Sequence, residues 1–433
     1  MSPKVRDHLP EELKTKYFDF EPRSYPDNQF CSDLLRQVEL SMSNCDFYRE
    51  TVKKKFNYVL PDELKIDDLH TIPYLPTSLF KKSDNRTLDL LKVPLDEIVL
   101  FSCSSSTTMD PSLVPRTVED FDQIQYNSIK VFSEFFDWKN LKVDGKRCVV
   151  FNFAPGRLVM AFMARKNAKG FEYVKKTRYF TACMNKPWEF YGHQEYMIKA
   201  KLFKTIWAMI KSFEPRGGFV LDVTNMIKML KKIKESGELN KVGVSKIIFG
   251  GSPLLMNNML ENRLLKENFY LDLDQQALVC CGGGGWDGVK GEAKMGAVNK
   301  VKFVGDYEKV FNIKAHDFRD IYAFTEGPTL FGGHWSEKYQ DFLLHCPDTS
   351  RIIVRSLEKL EPVDEGMDGL LEVITPYGVN GSVNQAVLVD DIVELISKTK
   401  CPECGYEGAT FRVIGRLTNA QGRSCSSLIN WLY

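Results

Sequence analysis

The sequence contains no apolar stretch long enough to cross a membrane, since no segment reaches about 18 consecutive uncharged apolar residues. Residues 1–30 carry charges every few positions and have no apolar centre, which excludes a secretory signal of the usual kind. The 11 cysteines are scattered without the spacing of a small disulfide framework, as is typical of reduced thiols. We therefore expect a cytoplasmic protein with no membrane partner.

An excess of charge of either sign is also missing. Lysine and arginine total 58 against 57 for aspartate and glutamate, so the formal net charge is +1. Because no overall positive field is available to attract a polyanion, we expect no nucleic-acid partner. With 433 residues and 43% hydrophobic content, the chain is long enough to bury a large core, which favours an enzyme or a binding protein over a disordered scaffold.

Several catalytic signatures are absent. No GxxxxGK[ST] occurs, which leaves a P-loop nucleotide hydrolase unsupported. A GxGxxG match at 283–288 follows a predicted strand but opens no predicted helix, which a dinucleotide-binding fold requires. None of the six histidines lies in an HExxH motif or beside a serine nucleophile motif, so the sequence does not indicate a hydrolase.

What the sequence does contain is an alternation of short apolar runs with helical patterns from residue 94 onward. Runs typical of strands lie at 97–104, 146–154, 217–224, 244–252 and 276–285, and helical patterns at 118–136, 194–213, 225–236 and 254–267. This alternation predicts α/β layers with largely parallel strands, whose ligand sites lie at the carboxyl ends of the strands.

The composition also predicts a division of the chain into parts. A mostly helical segment over 1–93 packs on an α/β core over 94–328, and four strand-like runs make 329–416 a β-rich subdomain. Residues 417–433 form a flexible tail that carries Cys425. Because Cys425 follows Gly422, Arg423 and Ser424, a nearby cation favours its thiolate, although an incidental exposed cysteine explains the same pattern.

Three predicted strands end in loops rich in serine or glycine. The hydroxyls of Ser102 and of residues 104–108 can cradle phosphate oxygens, but such clusters also serve as turns and helix caps. Residues 282–285 are four glycines, which let the backbone approach a flat ring closely, and the Trp286 side chain can cover one side of that ring. A surface turn explains the four glycines equally well.

Acidic side chains follow two of the later apolar runs. Tyr322, Thr325 and Glu326 offer an aromatic face, a hydroxyl and a carboxylate within five residues, and one carboxylate beside a phosphate is a common way to hold Mg²⁺. Asp390 and Asp391 follow another run, where paired carboxylates bind metal or simply form a solvated turn.

The run "CPECG" at 401–405 has half of the spacing of a zinc site. A structural zinc ion needs four ligands, and no second CxxC or HxxxH lies nearby in the sequence. The pattern by itself therefore favours a tight turn over a metal site.

Taken in order, the segments "SSSTT", "GGSP", "GGGGWDG", "YAFTE", "LVDDI" and "FRVIGR" resemble those of the adenylate-forming (ANL) superfamily, which activates carboxylic acids as acyl-AMP. More narrowly, "CDFYRE" at 45–50, "TIPYLPTSLFKKSD" at 71–84 and the terminal "GRSCS" resemble the acyl-protein synthetase (LuxE-like) family. The resemblance spans about residues 40–428. It implies an adenylate-forming α/β core with a β-rich subdomain that lacks the usual full C-terminal mobile domain.

The resemblance also implies roles for individual residues, with ATP and Mg²⁺ as cofactors. Thr325 touches the α-phosphate, Glu326 holds Mg²⁺, and Cys425 accepts the acyl group and delivers it to a partner such as an acyl reductase. The ATP-binding set by this resemblance is Ser104, Ser105, Ser106, Thr107 and Thr108 on the β- and γ-phosphates, Gly283, Gly284, Trp286 and Tyr322 around the adenine, and Asp391 with Arg416 on the ribose.

The phosphate loop departs from the superfamily pattern. Ser106 and Met109 stand where glycines are usual, and Ser112 stands where a lysine is usual. Two other functions therefore remain open: a ligase that passes the acyl group to coenzyme A or a carrier protein, and a non-catalytic relative that binds a nucleotide or a partner. The substrate in the first two cases is a carboxylic acid, and a fatty acid is the expectation that the resemblance gives.

Overall fold

The structure is a computed structural model. It describes residues 24–81, 86–98, 100–103, 112–135, 147–153, 160–167, 170–177, 188–192, 224–287, 289–290, 293–294 and 296–417. The helix expected at 194–213, nearly all of the strand expected at 217–224, Ser104 to Thr108 and Cys425 lie outside these residues. In the described part of the chain no helix is both long and apolar enough to span a membrane.

Six α-helices occur among the described residues: α1 (Asp27–Asn44), α2 (Asp46–Thr51), α3 (Val118–Phe135), α4 (Thr224–Ser236), α5 (Pro253–Met259) and α6 (Lys300–Phe311). Short 3₁₀ or π turns lie at Val52–Phe56, Ile66–Thr71, Thr77–Phe80, Leu95–Glu97, Leu239–Val242, Leu260–Leu264, Asp274–Gln276 and Ala315–Asp317. The strands are β1 (Leu75–Pro76), β2 (Leu100–Cys103), β3 (Leu113–Arg116), β4 (Arg147–Phe153), β5 (Met160–Asn167), β6 (Gly170–Thr177), β7 (Trp188–Gly192), β8 (Val244–Gly251), β9 (Ala277–Gly282), β10 (Val289–Lys290), β11 (Ala293–Lys294), β12 (Phe318–Ala323), β13 (Leu330–Ser336), β14 (Asp341–His345), β15 (Arg351–Arg355), β16 (Asp368–Ile374), β17 (Ala386–Ser397) and β18 (Thr410–Arg416).

The described residues group into two compact units. The first contains those between 137 and 160 and between 177 and 320, and the second contains those between 24 and 136, between 161 and 176 and between 321 and 417. Composition suggests boundaries at 93/94, 328/329 and 416/417. These boundaries stay a prediction, because compact units are defined by contacts and not by local composition.

The first unit contains a parallel sheet in the strand order β7-β4-β8-β9. Its strands are nearly continuous apolar runs, as expected of strands that are buried on both faces. Phe249 of β8 is fully buried and packs its ring against Phe311 of α6, 4.6 Å between centroids. Helix α6 begins at the Asn299 cap, whose side chain accepts a bond from the Lys302 amide, and ends at Asn312 with φ 54°. The parallel α/β layers predicted from the sequence are present.

The second unit contains an antiparallel sheet in the order β15-β16-β17-β18-β14-β13. Helix α1 buries Phe30, Leu34 and Val38, which recur every four residues and therefore share one helix face. This face packs with Leu370 of β16 and Leu388 of β17 in one core cluster. The four strands expected between 351 and 416 all occur here.

One strand differs from its sequence expectation. The run at 97–104 was expected to join the parallel layers, but β2 lies in a separate four-stranded sheet of order β3-β2-β5-β6. It runs antiparallel to β3 and to β5. The connection from β2 to β3 is too short to hold the crossover of a dozen or more residues that a parallel pair needs.

Candidate active site

Glu326, the predicted Mg²⁺ ligand, is a buried carboxylate in the second unit and is only 5% exposed. Its Oε1 atom accepts a hydrogen bond from the Ser112 hydroxyl. Lys81 Nζ lies 3.8 Å from the same oxygen, and the Asn384 side chain donates to the Glu326 backbone carbonyl at 2.8 Å. The carboxylate is therefore held by a hydroxyl and a cation, and its backbone is fixed separately.

The strands on either side of the predicted phosphate loop are anchored to the same region. Arg116 of β3 is 1% exposed, and its guanidinium donates to the Thr325 carbonyl at 2.9 Å and to the Gly378 carbonyl at 2.8 Å. Its Nε also donates to Ser102 Oγ of β2 at 3.3 Å. A buried guanidinium that is satisfied on several sides fixes β2 and β3 relative to residues 325 and 326.

Tyr322, Asp391 and Arg416 form a second polar cluster in this unit. Asp391 of β17 lies opposite Arg416 of β18 in the antiparallel register, with Arg416 Nε 3.6 Å from Asp391 Oδ1. The hydroxyl of Tyr322 donates to Asp391 Oδ2 at 2.6 Å. The Tyr322 ring lies near the rings of Phe324, Phe331 and Phe411, and its hydroxyl supplies the polar contact with Asp391.

Burial sets the electrostatics of this cluster. It raises the pKa of Asp391 above its usual value, although Arg416 and the Tyr322 hydroxyl both act to lower that pKa. Burial also raises the pKa of Tyr322, and the charges of Asp391 and Glu326 raise it further. Because the charge of Glu326 acts on all three members, the two carboxylate clusters share one electrostatic environment.

The glycine loop lies in the first unit, directly after β9. Gly283, Gly284 and Gly285 have φ values of 77°, 68° and 104°, a conformation that only glycine adopts without strain. Trp286, which follows, donates from Nε1 to Asp320 at 3.2 Å and meets the Phe303 ring edge to face at 5.3 Å. The loop thus lies at the carboxyl end of a parallel strand, where the sequence predicted a ligand site.

The structure brings five predicted residues together in one unit: Tyr322, Thr325, Glu326, Asp391 and Arg416. Gly283, Gly284 and Trp286 belong to the other unit, and the remaining predicted residues lie outside the described part of the chain. Sequence reasoning missed Lys81 and Arg116. Lys81 lies within "TIPYLPTSLFKKSD", so the family-specific segment contained the signal that points to it.

A cavity of about 630 Å³ in the second unit is lined by residues that include Tyr58, Tyr74 and Arg355. None of the predicted nucleotide residues is among its described lining residues. A volume of this size does not by itself identify a site, so we assign the chemistry to the clustered polar groups.

Comparison with known structures identifies the fold. An open form of 2-hydroxyisobutyryl-CoA ligase in complex with 2-HIB-AMP and CoA matches with a TM-score of 0.56 and 11% identity, over 92% of this chain and 74% of that one. The same ligase in its thioesterification state matches with a TM-score of 0.54 and 13% identity, over 95% and 73%. At such identities the likeness concerns the fold alone, and it confirms the predicted adenylate-forming architecture.

Comparison at the sequence level identifies the family. No curated protein sequence matches the chain significantly. The model of the family described as "Acyl-protein synthetase, LuxE" matches residues 214–432, just over half of the chain. This stretch includes the glycine loop, Glu326, Asp391, Arg416 and Cys425. The chain therefore belongs to the LuxE acyl-protein synthetase family.

Proposed function

We propose that this protein uses ATP and Mg²⁺ to activate a carboxylic acid as acyl-AMP and then takes the acyl group onto Cys425. Family membership supports acid activation, because a carboxylate must be made electrophilic before a thiol can accept its acyl group. Transfer to Cys425, the fatty nature of the acid and delivery to an acyl reductase are finer parts of the proposal, and the sequence resemblance supports them.

The observation that carries the proposal is the contact between Ser112 and Glu326. Ser112 directly follows the segment that contains the predicted phosphate loop, and its hydroxyl donates to the buried carboxylate. A phosphate loop and a Mg²⁺-binding carboxylate must lie close together, because the ion takes its ligands from both the protein and the phosphates. Arg116 supports the same arrangement, since it binds both Ser102 and the Thr325 carbonyl.

The donor set around Glu326 fits Mg²⁺, which prefers oxygen ligands. The Glu326 carboxylate would hold the ion, and the Ser112 hydroxyl offers a second oxygen. When bound, Mg²⁺ neutralises charge on the phosphate oxygens. Lys81, which lies 3.8 Å from Glu326, is our candidate for the cation that the superfamily loop usually supplies where this chain has Ser112.

We assign the ribose to the Asp391 cluster. A carboxylate has about four lone-pair sites, so Asp391 can accept from ribose hydroxyls while Tyr322 and Arg416 remain in place. Arg416 and Tyr322 fix the orientation of the carboxylate before a nucleotide arrives. The Tyr322 ring would stack on the adenine, with Gly283, Gly284 and Trp286 as further adenine contacts.

The chemistry proceeds in two substitutions. A carboxylate oxygen of the acid attacks the α-phosphorus, the bond to the bridging oxygen of pyrophosphate breaks, and acyl-AMP forms. Thr325, next to Glu326, would contact the α-phosphate in this step. The Cys425 thiolate then attacks the acyl carbon, the carbon–sulfur bond forms, and AMP leaves with the oxygen that joined it to the acyl group. The thiol proton passes to solvent.

A second candidate is transfer of the acyl group to a soluble thiol such as coenzyme A or a carrier protein. The fold match supports this second candidate, since the matching ligase structures hold an acyl-AMP together with CoA. In that case acyl-AMP formation is unchanged and Cys425 plays no part.

Two measurements on the full chain test the proposal. Exchange of labelled pyrophosphate into ATP should depend on Mg²⁺ and on an acid from a panel of fatty and aromatic acids. Intact mass should then show an acyl adduct that hydroxylamine removes, as expected of a thioester. Cys425→Ser should retain exchange and lose the adduct, and the neighbouring Ser426→Ala variant should retain both.

Failure at either step has a distinct meaning. Absence of exchange with every acid contradicts acid activation and favours a non-catalytic relative. Exchange without an adduct on Cys425, together with thioester formation on added coenzyme A, contradicts the acyl-protein step and favours the second candidate.

A further inference from the structure

Two histidines and two cysteines, none of which is assigned to ATP, meet beside the antiparallel sheet. His334 lies on β13, His345 on β14, and Cys401 and Cys404 lie in the turn between β17 and β18. The ligand atoms of the four side chains all lie within 4.8 Å of one another. The sequence shows only the two cysteines as a group, because the histidines are more than 50 residues away along the chain.

Strand register places both imidazoles on the same face of the sheet. His334 of β13 lies opposite Leu343 of β14, and His345 is two residues beyond Leu343, so it points to the same side. The two rings stack at 5.2 Å between centroids. On the other edge β14 pairs with β18, with His345 opposite Thr410, which brings the turn before β18 beside the histidines.

The turn that contains Cys401 and Cys404 is fixed by backbone hydrogen bonds. The Cys401 amide donates to the Tyr406 carbonyl at 2.9 Å, and the Gly405 amide donates to the Cys401 carbonyl at 3.1 Å. Gly405 has φ 74°, which closes the turn directly after Cys404 and which a residue with a side chain adopts only at a cost. The tight turn that the sequence favoured at 401–405 therefore also positions the thiols of a CxxC pair.

Two distances between ligand atoms match a tetrahedral metal site. Cys401 Sγ lies 3.6 Å from His334 Nε2, and Cys404 Sγ lies 3.5 Å from His345 Nε2. With Zn–S of about 2.3 Å and Zn–N of about 2.0–2.1 Å, a tetrahedral ion separates sulfur and nitrogen ligands by about 3.5–3.6 Å. The two edges that join a sulfur to a nitrogen thus have the length that one shared zinc ion requires.

The second nitrogen of each ring is already engaged by the protein. His334 Nδ1 lies 2.8 Å from the Trp335 carbonyl oxygen, which can only accept, so Nδ1 carries the proton and Nε2 presents its lone pair. His345 Nδ1 lies 3.1 Å from the Thr410 hydroxyl. Hydrogen bonds of this kind orient histidine ligands in metal sites.

We propose that His334, His345, Cys401 and Cys404 bind one zinc ion. Two thiolates and two imidazoles in tetrahedral positions are the ligand set that zinc prefers. Because four protein ligands fill the coordination sphere, the site has a structural role and no open position for catalysis. The ion joins the β13–β14 hairpin to the turn that leads into β18, the strand that ends at Arg416.

The test is the metal content of the full-length protein, purified under reducing conditions and passed over a desalting column after incubation with zinc. We expect about one zinc ion per chain by plasma mass spectrometry. Cys404→Ser and His334→Gln should each reduce the content at least about tenfold, because three ligands hold zinc far more weakly than four. Cys404 is exposed, so its substitution is the one least expected to disturb folding.

Glu403→Gln is the matched control, because it lies between the two cysteines and removes no ligand, and it should retain zinc. Replacement of zinc by cobalt(II) gives a second readout: the wild type should show a thiolate-to-cobalt charge-transfer band that Cys404→Ser weakens. Folded, reduced wild-type protein that retains no zinc would overturn the proposal. Equal zinc content in the wild type and both ligand variants would overturn it as well.

Discussion

At the scale of single residues, the unexpected group is Lys81. The chain has Ser112 where the superfamily usually has a lysine, yet a lysine lies within 3.8 Å of the Glu326 carboxylate. Lys81 and Ser112 also form an isolated antiparallel bridge, so the backbone holds the two residues together. A long-range contact of this kind cannot be found from local patterns, because strands β2 to β12 and four of the described helices lie between Lys81 and Glu326 along the chain.

The substitution Lys81→Gln tests whether this cation serves the reaction. We expect pyrophosphate exchange to fall by about 10²-fold or more, since removal of one preorganised charge at a phosphoryl centre typically costs this much. Thermal denaturation of the same variant separates this effect from a loss of stability, because Lys81 is the cation beside the buried Glu326 carboxylate. Lys65→Gln, which changes an exposed lysine outside the family-specific segment at 71–84, is the control. Equal exchange rates for the two variants would contradict a role for Lys81.

Residue chemistry could be predicted in part from the sequence. Glu326 and Tyr322 were singled out because a carboxylate, a hydroxyl and an aromatic ring lie within five residues after an apolar run, and the structure places both in shared polar clusters. Their roles toward ATP remain predictions. The histidines beside Cys401 and Cys404 could not be found, because only strand register brings them to the cysteines.

At the scale of elements, the parallel strands β8 and β9 were predictable because their apolar runs are long and end in glycine loops, whereas β7 was not predicted. Strand β8 reads "VSKIIFGG" and β9 reads "ALVCCG", and both occur close to the expected bounds. The β2–β3 hairpin was not predictable in the same way. A short apolar run has no signal for direction, and the partner strand decides whether it pairs parallel or antiparallel.

The loop after β9 offers a prediction with a matched control. Gly284 has φ 68° and open space where a Cβ would lie, so Gly284→Ala tests backbone conformation without steric overlap. We expect a loss of about 1–2 kcal/mol in stability or in ATP binding, because alanine disfavours this φ region. Gly296 has the same open space without a positive φ, so Gly296→Ala should leave both quantities within about 0.5 kcal/mol of the wild type.

Thermal denaturation and ATP titration calorimetry on both variants measure the two quantities. If the loop must keep its conformation to contact the adenine, Gly284→Ala should bind ATP more weakly than the wild type, and Gly296→Ala should bind it equally well. Identical ATP affinity and identical thermal midpoints for the two variants would show that the conformation of Gly284 has no role in the site.

At the scale of the whole molecule, a buried glutamate beside an arginine makes stability depend on pH. Glu372 of β16 is fully buried and pairs with Arg355 of β15, which also donates to the His70 carbonyl at 2.8 Å. Burial raises the pKa of Glu372 to about 7, although Arg355 acts to lower it. The net charge of +1 makes overall repulsion small, so specific buried groups such as this one control the pH response.

The direction of the effect follows from proton binding. Below the ordinary glutamate pKa of about 4.3, Glu372 is protonated in both the folded and the unfolded chain. Between that value and a pKa of about 7 the folded protein keeps a proton that the unfolded chain has lost, so the free energy of unfolding falls as pH rises. The slope for one proton is at most about 1.4 kcal/mol per pH unit, and it vanishes above the folded pKa.

Glu372→Gln should remove this contribution, because the amide keeps a hydrogen-bond acceptor for Arg355 and does not titrate. We expect the midpoint of urea unfolding to fall between pH 5 and pH 7.5 more steeply in the wild type than in Glu372→Gln, with the exposed Glu358→Gln as a control that retains the wild-type slope. Comparison of slopes, not of absolute midpoints, separates titration from any loss of packing caused by the substitution. Parallel pH profiles for the wild type and Glu372→Gln would mean that Arg355 keeps Glu372 ionised throughout this range, and that burial does not dominate its titration.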